Sequence, residues 1–370
     1  MCQYIVDEEA LTENIKVICR RAKDVPVWAV VKGNGYGLGV AALVRRLRQQ
    51  GITRFCVGEL WEAQQIRQTG LTGIQILMLQ PTADEARLEA LIGLDVICTL
   101  SSMTDAQALE EAAERLGQQA QAHVKIDTGM GRYGFRPEEE EEIKSVYRQL
   151  PRITVTGIYT HFSDALTSYE QTKQQYRSFH YLVDSLYAQG IRPGQAHCCN
   201  SAAFLKYPQM RMDAVRIGSA FLGRMPYMEA FGLRRVGYCE TEVAELHAVE
   251  KGRRIGYGGA WRARHTTTLA ILPVGWYHGF TTQYQRDSFR LRDCIRGCLG
   301  WLRAWMLHRR LWVEIGGKKC PVCGHVGMLY TAVDVTGIPC MIGQQAHLDI
   351  SPVEQRGMEV VYVRASEMKT

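Results

Sequence analysis

Short apolar segments alternate with longer helical patterns through about the first 220 residues of the chain. Segments of this kind, separated by helical patterns, are typical of parallel strands with helical crossovers. Eight such units fit a closed (β/α)8 barrel better than an open sheet, so the sequence predicts an α/β fold of the TIM-barrel type. The predicted strands are Val25–Val31, Arg54–Gly58, Ile74–Leu79, Asp95–Leu100, His123–Asp127, Thr154–Thr160, Ala196–Cys199 and Ala214–Ile217.

The pattern changes after about residue 231. The later strand-like segments are joined by Gly-rich turns, and no long helical crossover separates them apart from one basic insert. We therefore predict two domains, a barrel over residues 1–231 and a mainly-β domain over residues 232–370. The strands predicted in the second domain are Glu242–Val249, Thr268–Val274, Leu311–Ile315 and Val333–Val335.

The insert at about 281–310 contains seven Arg and two Asp, a local excess of +5 in a chain of net charge +6. Charge this concentrated does not indicate a nucleic-acid-binding protein, which spreads Lys and Arg over a face. The spacing predicts an amphipathic helix. Its apolar stripe is Leu291, Ile295, Leu299, Leu302 and Met306, and Arg292, Arg296, Arg303 and Arg310 lie largely off that stripe.

Three interpretations of the insert remain open. The favoured one is a helix that packs its apolar stripe on the second domain. The others are a helix that contacts a membrane surface or a partner, and a lid near a binding site.

Cysteine usage indicates a reducing compartment. Most of the twelve cysteines lie in apolar segments, where buried thiols are expected. The pair Cys320 and Cys323 has zinc-knuckle spacing, but a structural zinc site needs four ligands and no second such pair occurs. We predict no metal, no signal peptide, no membrane span and a cytoplasmic location.

Polar residues follow several of the predicted barrel strands, where the active sites of such barrels lie. Lys32 follows an apolar strand, so its amine could be neutral and form a Schiff base; an exposed strand-end lysine is an equally open interpretation. Ser201 and the Gly218–Ser219 amides, with the Tyr36 hydroxyl, could hold a phosphate. Together they suggest pyridoxal 5'-phosphate (PLP) as one option among several.

Several motifs, in order, resemble the alanine racemase family over nearly the whole chain outside the insert. Their order along the chain makes a chance match improbable. They are Ala29–Gly37 (AVVKGNGYG), His123–Phe135 (HVKIDTGMGRYGF), Gly157–Phe162, Asn200–Ala203, Val215–Gly218, Gly256–Gly258, Pro273–Gly275, Gly327–Met328 and Val333–Thr336.

The resemblance implies a PLP-dependent racemase that is a homodimer with shared active sites and binds a small amino acid. Lys32 would carry PLP and act as one base, and Tyr257 of the partner subunit would be the base on the opposite face. Arg132 and the Met328 N–H would bind the substrate carboxylate. Arg216 would face the pyridine nitrogen beside His161 and Tyr159, and the phosphate ligands would be Tyr36, Ser201, Gly218 and Ser219.

Several positions depart from the family pattern or leave a choice open. Trp276 stands where Tyr is usual, Leu329 where Asp is usual, and Gly33 and Gly35 where Ala is usual. Lys125 matches a position that carries a carbamate in some relatives, and an unmodified lysine beside Asp127 is equally sensible.

These departures weaken the choice of alanine as the substrate, although the two bases are kept. The first alternative is a racemase of serine or of a broader range of amino acids. The others are a PLP-dependent decarboxylase of the same architecture and a PLP carrier without activity. For alanine, the D-isomer would be a peptidoglycan precursor.

Overall fold

The computed structural model describes residues 2–282, 291–306 and 311–364. Strands and helices are numbered here along the whole chain. The chain begins with strand β1 (Gln3–Asp7), and eight short parallel strands follow it. They are β2 (Val27–Val30), β3 (Arg54–Val57), β4 (Gln75–Met78), β5 (Cys98–Leu100), β6 (Ala120–Lys125), β7 (Ile153–Tyr159), β8 (Gln195–His197) and β9 (Val215–Ile217).

The eight strands close into a ring. Parallel ladders join β4-β3-β2-β9 and β5-β6-β7-β8 into two four-stranded sheets. Single parallel bridges then connect the sheets, Leu77 with Ile97 on one side and His197 with Ala214 on the other. The barrel predicted from the sequence is therefore confirmed.

Helices connect most of the barrel strands, and several begin at a capping residue whose side chain satisfies a free N–H group. Ser102 accepts from Asp105 N at the start of one helix, and Gly117 ends that helix in the left-handed conformation. The helices are α1 (Glu8–Ala22), α3 (Val40–Gln49), α4 (Leu60–Gln68), α5 (Glu85–Gly93), α6 (Met103–Leu116), α7 (Glu140–Gln149), α8 (Tyr169–Ala188) and α9 (Ser201–Lys206), and the segment labelled α2 (Lys32–Tyr36) is a short left-handed turn.

The barrel strands are buried almost throughout, as expected of strands covered by helices on one face and by the barrel core on the other. Trp28, Val30, Cys56, Leu77 and Ile97 pack together inside the ring. This core supports the carboxyl ends of the strands, where the polar residues lie.

The second unit is mainly β. Besides β1, its elements are β10 (Gly237–Glu242), β11 (Glu245–Val249), β12 (Arg254–Ile255), β13 (Trp261–Arg262), β14 (Thr267–Leu272), α10 (Leu291–Met306), β15 (Trp312–Ile315), β16 (Lys318–Pro321), β17 (Thr331–Asp334), β18 (Gln345–Leu348) and β19 (Glu359–Val363). The largest sheet of this unit has six strands, in the order β16-β15-β18-β10-β1-β19, and the unit also has a three-stranded and a two-stranded sheet.

The structure groups the first eight residues with the second unit, which otherwise begins at Gly237, and leaves Glu9–Val236 as the barrel unit. The sequence placed residues 1–8 in the barrel domain. The physical reason for the difference is strand pairing: Gln3 lies opposite Glu240 of β10 and Glu359 of β19. Strand β1 thus lies between two strands from the far end of the chain.

The predicted insert helix is present as α10, but it does not pack as expected. Leu291, Trp301 and Trp305 are about three-quarters exposed, and the rest of its apolar stripe is half exposed or more. Arg310 lies outside the described residues. In the parts of the chain that the structure describes, no helix is long and apolar enough to cross a membrane. No group of three His, Cys, Asp or Glu side chains in those parts could hold a metal ion.

Candidate active site

The carboxyl ends of the barrel strands surround a cavity of about 600 Å³. Eight of the ten predicted site residues line it: Lys32, Tyr36, Arg132, His161, Ser201, Arg216, Gly218 and Ser219. The other two, Tyr257 and Met328, lie in the second unit. The structure thus brings together every predicted residue of the barrel.

Lys32 lies at the start of a left-handed turn that follows β2. Gly33, Asn34, Gly35 and Tyr36 all have positive φ, at 65°, 55°, 65° and 56°. Consecutive residues rarely adopt this conformation, and glycine does so without steric cost. A Cβ on Gly35 would lie 3.2 Å from Val40 N, so the turn also presses closely against the next helix.

A buried carboxylate that sequence reasoning missed holds this turn in place. Glu62 accepts N–H bonds from Asn34 and Gly58, each at 2.8 Å, and from Glu59 at 3.1 Å. Glu62 lies three residues after Glu59 at the start of α4, which is the spacing of a capping box and could have indicated it.

Burial lowers the pKa of Lys32, and Arg132 lowers it further, while Glu62 acts in the opposite direction. A lowered pKa increases the fraction of neutral amine at neutral pH, the form that can bond to a carbonyl or accept a proton. The Lys32 environment therefore suits both roles.

The side of the cavity formed by Ser201 and Gly218 is built to receive an anion. Ser201 Oγ accepts N–H bonds from Gly218 at 3.1 Å and Ala220 at 3.3 Å. Because both lone pairs are used, the hydroxyl hydrogen is left to donate. A Cβ on Gly218 would lie 2.3 Å from the Tyr36 hydroxyl, so only glycine fits here.

Tyr36 adds a second hydroxyl on this side. Burial raises the pKa of Tyr36 to about 12, which keeps the phenol neutral and able to donate. A cradle of two hydroxyl donors beside a glycine fits a phosphate group, and a neighbouring lysine fits an aldehyde. These residues are consistent with PLP.

Arg216 is fully enclosed beside the cavity and is held by hydrogen bonds to neutral partners. Its Nη1 lies 2.7 Å from His197 Nδ1, and its Nη2 donates to the Thr160 carbonyl at 2.6 Å. His161 Nδ1 is 3.4 Å from the same Nη2. Burial and the Arg216 charge hold the pKa of His161 well below its usual range, so that imidazole is neutral.

Two further histidines, which sequence reasoning gave no role, continue from Arg216 into the barrel. His197 Nε2 lies 2.9 Å from His123 Nδ1, and the ring of His197 stacks on Tyr159 with centroids 5.0 Å apart. Both histidines are buried and lie on the barrel strands β6 and β8. A polar residue in a buried strand is the signal that could have marked them.

Lys125 Nζ is buried and has no hydrogen-bond partner among the described residues. Burial, with Arg216 and Arg132, lowers the pKa of Lys125 to about 8. Buried amines usually have partners, because an unpaired one loses its hydration without compensation. This amine, on the cavity wall, is therefore free to bond a group held there.

The two predicted residues of the second unit line a separate pocket of about 550 Å³. Tyr257 is 76% exposed, and Met328 is half exposed. Two of the departures from the family pattern lie next to them. Leu329 lines the same pocket, and Trp276 N donates to the Gly327 carbonyl at 3.0 Å.

Comparisons with known families agree over both units. A family model described as "Alanine racemase, N-terminal domain" matches residues 6–226, and one described as "Alanine racemase, C-terminal domain" matches residues 236–363.

Curated relatives carry the same name. The chain is 30% identical to "Alanine racemase 1" of Oceanobacillus iheyensis, over 99% of this chain and 92% of that protein. It is 34% identical to "Alanine racemase" of Desulforamulus reducens, over 89% of this chain and 84% of that protein.

Solved structures of alanine racemases share the fold. The enzyme of Clostridium difficile 630 superposes with a TM-score of 0.83 at 26% identity, covering 99% of this chain and 96% of that one. The enzyme of Bacillus anthracis, solved with bound L-Ala-P, gives a TM-score of 0.76 at 26% identity, covering 99% of this chain and 88% of that one.

Proposed function

The chain belongs to the alanine racemase family of PLP-dependent racemases, and from this premise we propose that Lys32 and Tyr257 interconvert L- and D-alanine by two-base proton transfer. The enzyme is an isomerase. The observation that carries the assignment of residues is the single cavity in which Lys32, Arg216 and the Ser201–Gly218 anion cradle meet.

PLP, when bound, supplies an electron sink that makes the substrate Cα–H acidic. Lys32 would anchor PLP covalently, and Tyr36, Ser201, Gly218 and Ser219 would hold its phosphate. The free hydroxyl hydrogen of Ser201 and the neutral phenol of Tyr36 support this assignment.

Racemisation removes a proton from one face of Cα and returns one to the other, so it needs a base on each face. The Lys32 amine, whose lowered pKa favours the neutral form, serves one face. The Tyr257 phenol serves the other. With one group on each face, the substrate need not turn over between the two transfers.

Arg216, together with His161, would hold the pyridine ring of PLP. An arginine does not readily give up a proton, so Arg216 would leave the ring nitrogen unprotonated. In that role Arg216 would favour proton exchange at Cα over transamination. The neutral hydrogen-bond partners of Arg216 support this role, because none of them offsets its positive charge.

The substrate carboxylate is bound by Arg132, whose planar guanidinium suits two oxygens, and by the Met328 N–H. Tyr257 and Met328 come from the second unit. We propose a homodimer in which each chain supplies this pair to the barrel of its partner. The exposure of both side chains in the single chain supports this arrangement.

We further propose a cytoplasmic location and a role of the D-alanine product as a peptidoglycan precursor. Several cysteines are buried in the apolar core, among them Cys56, Cys98 and Cys239, as expected of thiols in a reducing compartment. Trp276 and Leu329, which depart from the family pattern beside the second pocket, are the reason to test serine and larger amino acids as well.

The direct test incubates the PLP-loaded enzyme with L-alanine in deuterated water. We expect deuterium at Cα and formation of D-alanine, followed by NMR and chiral chromatography. The same assay with serine and the other common amino acids defines the substrate range. Absence of exchange with every amino acid would contradict the racemase assignment, and carbon dioxide release without racemised product would indicate a decarboxylase.

A further inference from the structure

Helix α10 presents an apolar surface that its own unit does not cover. Leu291 and Trp301 are each 77% exposed and Trp305 is 76% exposed. The remaining apolar residues are half exposed or more, namely Ile295, Leu299, Leu302 and Met306. Seven large apolar side chains on one helix make a continuous exposed patch, which marks an interaction surface.

The residues are arranged around α10 in three strips. At about 100° per residue, Leu291, Ile295, Leu299, Leu302 and Met306 fall within an arc of about 80°. The two tryptophans lie on one side of this arc. Arg296 and Arg303, both exposed, lie together on the other.

We propose that α10 docks the protein on an anionic lipid bilayer, lying in the plane of the membrane surface. A bilayer offers an apolar interior and a negatively charged surface on the same side. That combination is complementary to an apolar arc with arginines along one side. Tryptophan rings favour the boundary between the two regions. Arginine stems are long enough to keep the guanidinium among the headgroups while the arc is buried.

The charge of α10 favours a bilayer over a second copy of this chain. The segment Leu291–Met306 contains three Arg and one Asp, so a second copy would bring further positive charge to the contact. As far as the structure describes it, α10 has sixteen residues, fewer than the roughly 20 needed to span the hydrocarbon core.

Two glycines in α10 also support docking on a membrane. Gly297 and Gly300 each disfavour a helix by about 1 kcal/mol relative to Ala. A helix with this composition and an uncovered apolar face gains little stability in water. Burial of the face in a membrane surface supplies the stabilisation that its own sequence lacks.

The test measures partitioning of the purified, PLP-loaded full chain onto vesicles by co-sedimentation. We expect binding to vesicles containing phosphatidylglycerol and much weaker binding to vesicles of phosphatidylcholine alone. We also expect binding to the anionic vesicles to fall as salt is raised, because salt screens the arginines.

Two variants address the two parts of the surface. W301S/W305S removes apolar area, and R296E/R303E reverses the charge; each should lower partitioning onto anionic vesicles about tenfold or more. The matched controls are Y181S, an exposed aromatic of α8, and R45E, an exposed arginine of α3, which should bind like the wild type. Racemase activity without vesicles shows that each variant is folded.

A second measurement does not require a substitution that removes apolar area or reverses charge. Vesicles with brominated acyl chains should quench part of the tryptophan fluorescence of the wild type. W301F/W305F should bind as tightly but lose that quenching, because phenylalanine keeps the apolar area.

Three results would overturn the proposal: no binding of the wild type to anionic vesicles, equal binding of the wild type and both α10 variants, or quenching that W301F/W305F retains. If the wild type binds no vesicles, and W301S/W305S forms a smaller oligomer than the wild type, a second copy of the chain covers α10 instead.

Discussion

Arg216 Nη1 lies 2.7 Å from Nδ1 of His197, and this contact fixes the protonation of two buried histidines. A guanidinium only donates, so His197 Nδ1 must accept and its proton must be on Nε2. That Nε2 lies 2.9 Å from His123 Nδ1, which therefore accepts in turn. One arginine thus orients a chain of neutral imidazoles that keeps it in position.

Replacing His197 should disrupt this chain without touching the cofactor. His197→Ala leaves Arg216 Nη1 with the His197 main-chain carbonyl alone and removes the donor to His123. We expect the free energy of unfolding to fall by about 3 kcal/mol, from the lost hydrogen bonds and the cavity. Racemase kcat should fall by a larger factor than KM rises. The reason is that Arg216 is displaced from its position but is still present.

Urea unfolding and steady-state kinetics check both effects. His180→Gln, which changes an exposed histidine of α8, is the control and should leave both quantities unchanged. Unaltered activity in His197→Ala would show that Arg216 does not depend on this support.

The same histidines predict how stability depends on pH. Burial and Arg216 lower the pKa of His123 from 6.5 to about 3, and His197 shifts in the same direction. The unfolded chain therefore binds more protons than the folded one below pH 6.5, so the free energy of unfolding should fall as pH drops from 6.5 towards 3. Each histidine contributes up to about 1.4 kcal/mol per pH unit.

Unfolding measured between pH 5 and 7.5 tests this dependence in a range where carboxylates titrate little. The slope should be smaller in His123→Asn, which has no titrating ring at that position. If the slope of the unfolding free energy against pH is unchanged in that variant, other titrating groups cause the dependence.

The barrel could be predicted because its signal is local. All eight predicted strands are present, and each predicted range overlaps the observed one, as in Val25–Val31 against Val27–Val30. The predicted boundary places residues 1–8 in the barrel domain, whereas strand β1 pairs with β10 and β19, which lie more than 200 residues away. Periodicity does not show pairing over such a distance.

The residues that line the cavity were predictable where they belong to motifs. Lys32 and Arg216 could be found in this way, whereas Glu62 and His197 act through bonds to backbone or to other side chains. The exposure of the α10 stripe could not be predicted either. Periodicity identifies an apolar face, but only the structure shows whether anything packs on it.

The turn after Lys32 offers a matched pair of substitutions. Gly33 and Gly35 have the same φ of 65°, but a Cβ on Gly33 meets nothing within 4 Å, whereas one on Gly35 lies 3.2 Å from Val40 N. Gly33→Ala should lower the free energy of unfolding by about 1 kcal/mol, through the backbone alone. Gly35→Ala should lower the free energy of unfolding by about 1 kcal/mol more than Gly33→Ala does, because Val40 must shift.

Chemical denaturation of both variants measures the difference. Equal losses would mean that the contact with Val40 relaxes without cost. Lys32 should remain reactive in Gly33→Ala, since that side chain points into open space.

Lys32 should be the only covalent attachment point of PLP. In Lys32→Ala we expect loss of the visible absorbance of the lysine-linked cofactor and a fall of racemase kcat by about 10³-fold or more. Lys206→Ala, a lysine of α9 bonded to the Leu166 carbonyl, is the control. Mass spectrometry after borohydride reduction should find the cofactor on Lys32 in the wild type, and a lysine-linked cofactor in Lys32→Ala would contradict the assignment.

Tyr257→Phe separates the two faces of the reaction. If the phenol is the base on one face only, its loss should slow Cα proton abstraction from one enantiomer far more than from the other. The measurement is the rate of solvent deuterium incorporation into substrate at early times, starting from L-alanine and from D-alanine separately. Tyr181→Phe, on an exposed tyrosine of α8, should leave both rates unchanged. Equal small effects in the two directions would assign the second base to another residue. If two different side chains each serve one face, abstraction from one enantiomer should slow greatly. Abstraction from the other enantiomer, by Lys32, should keep its rate.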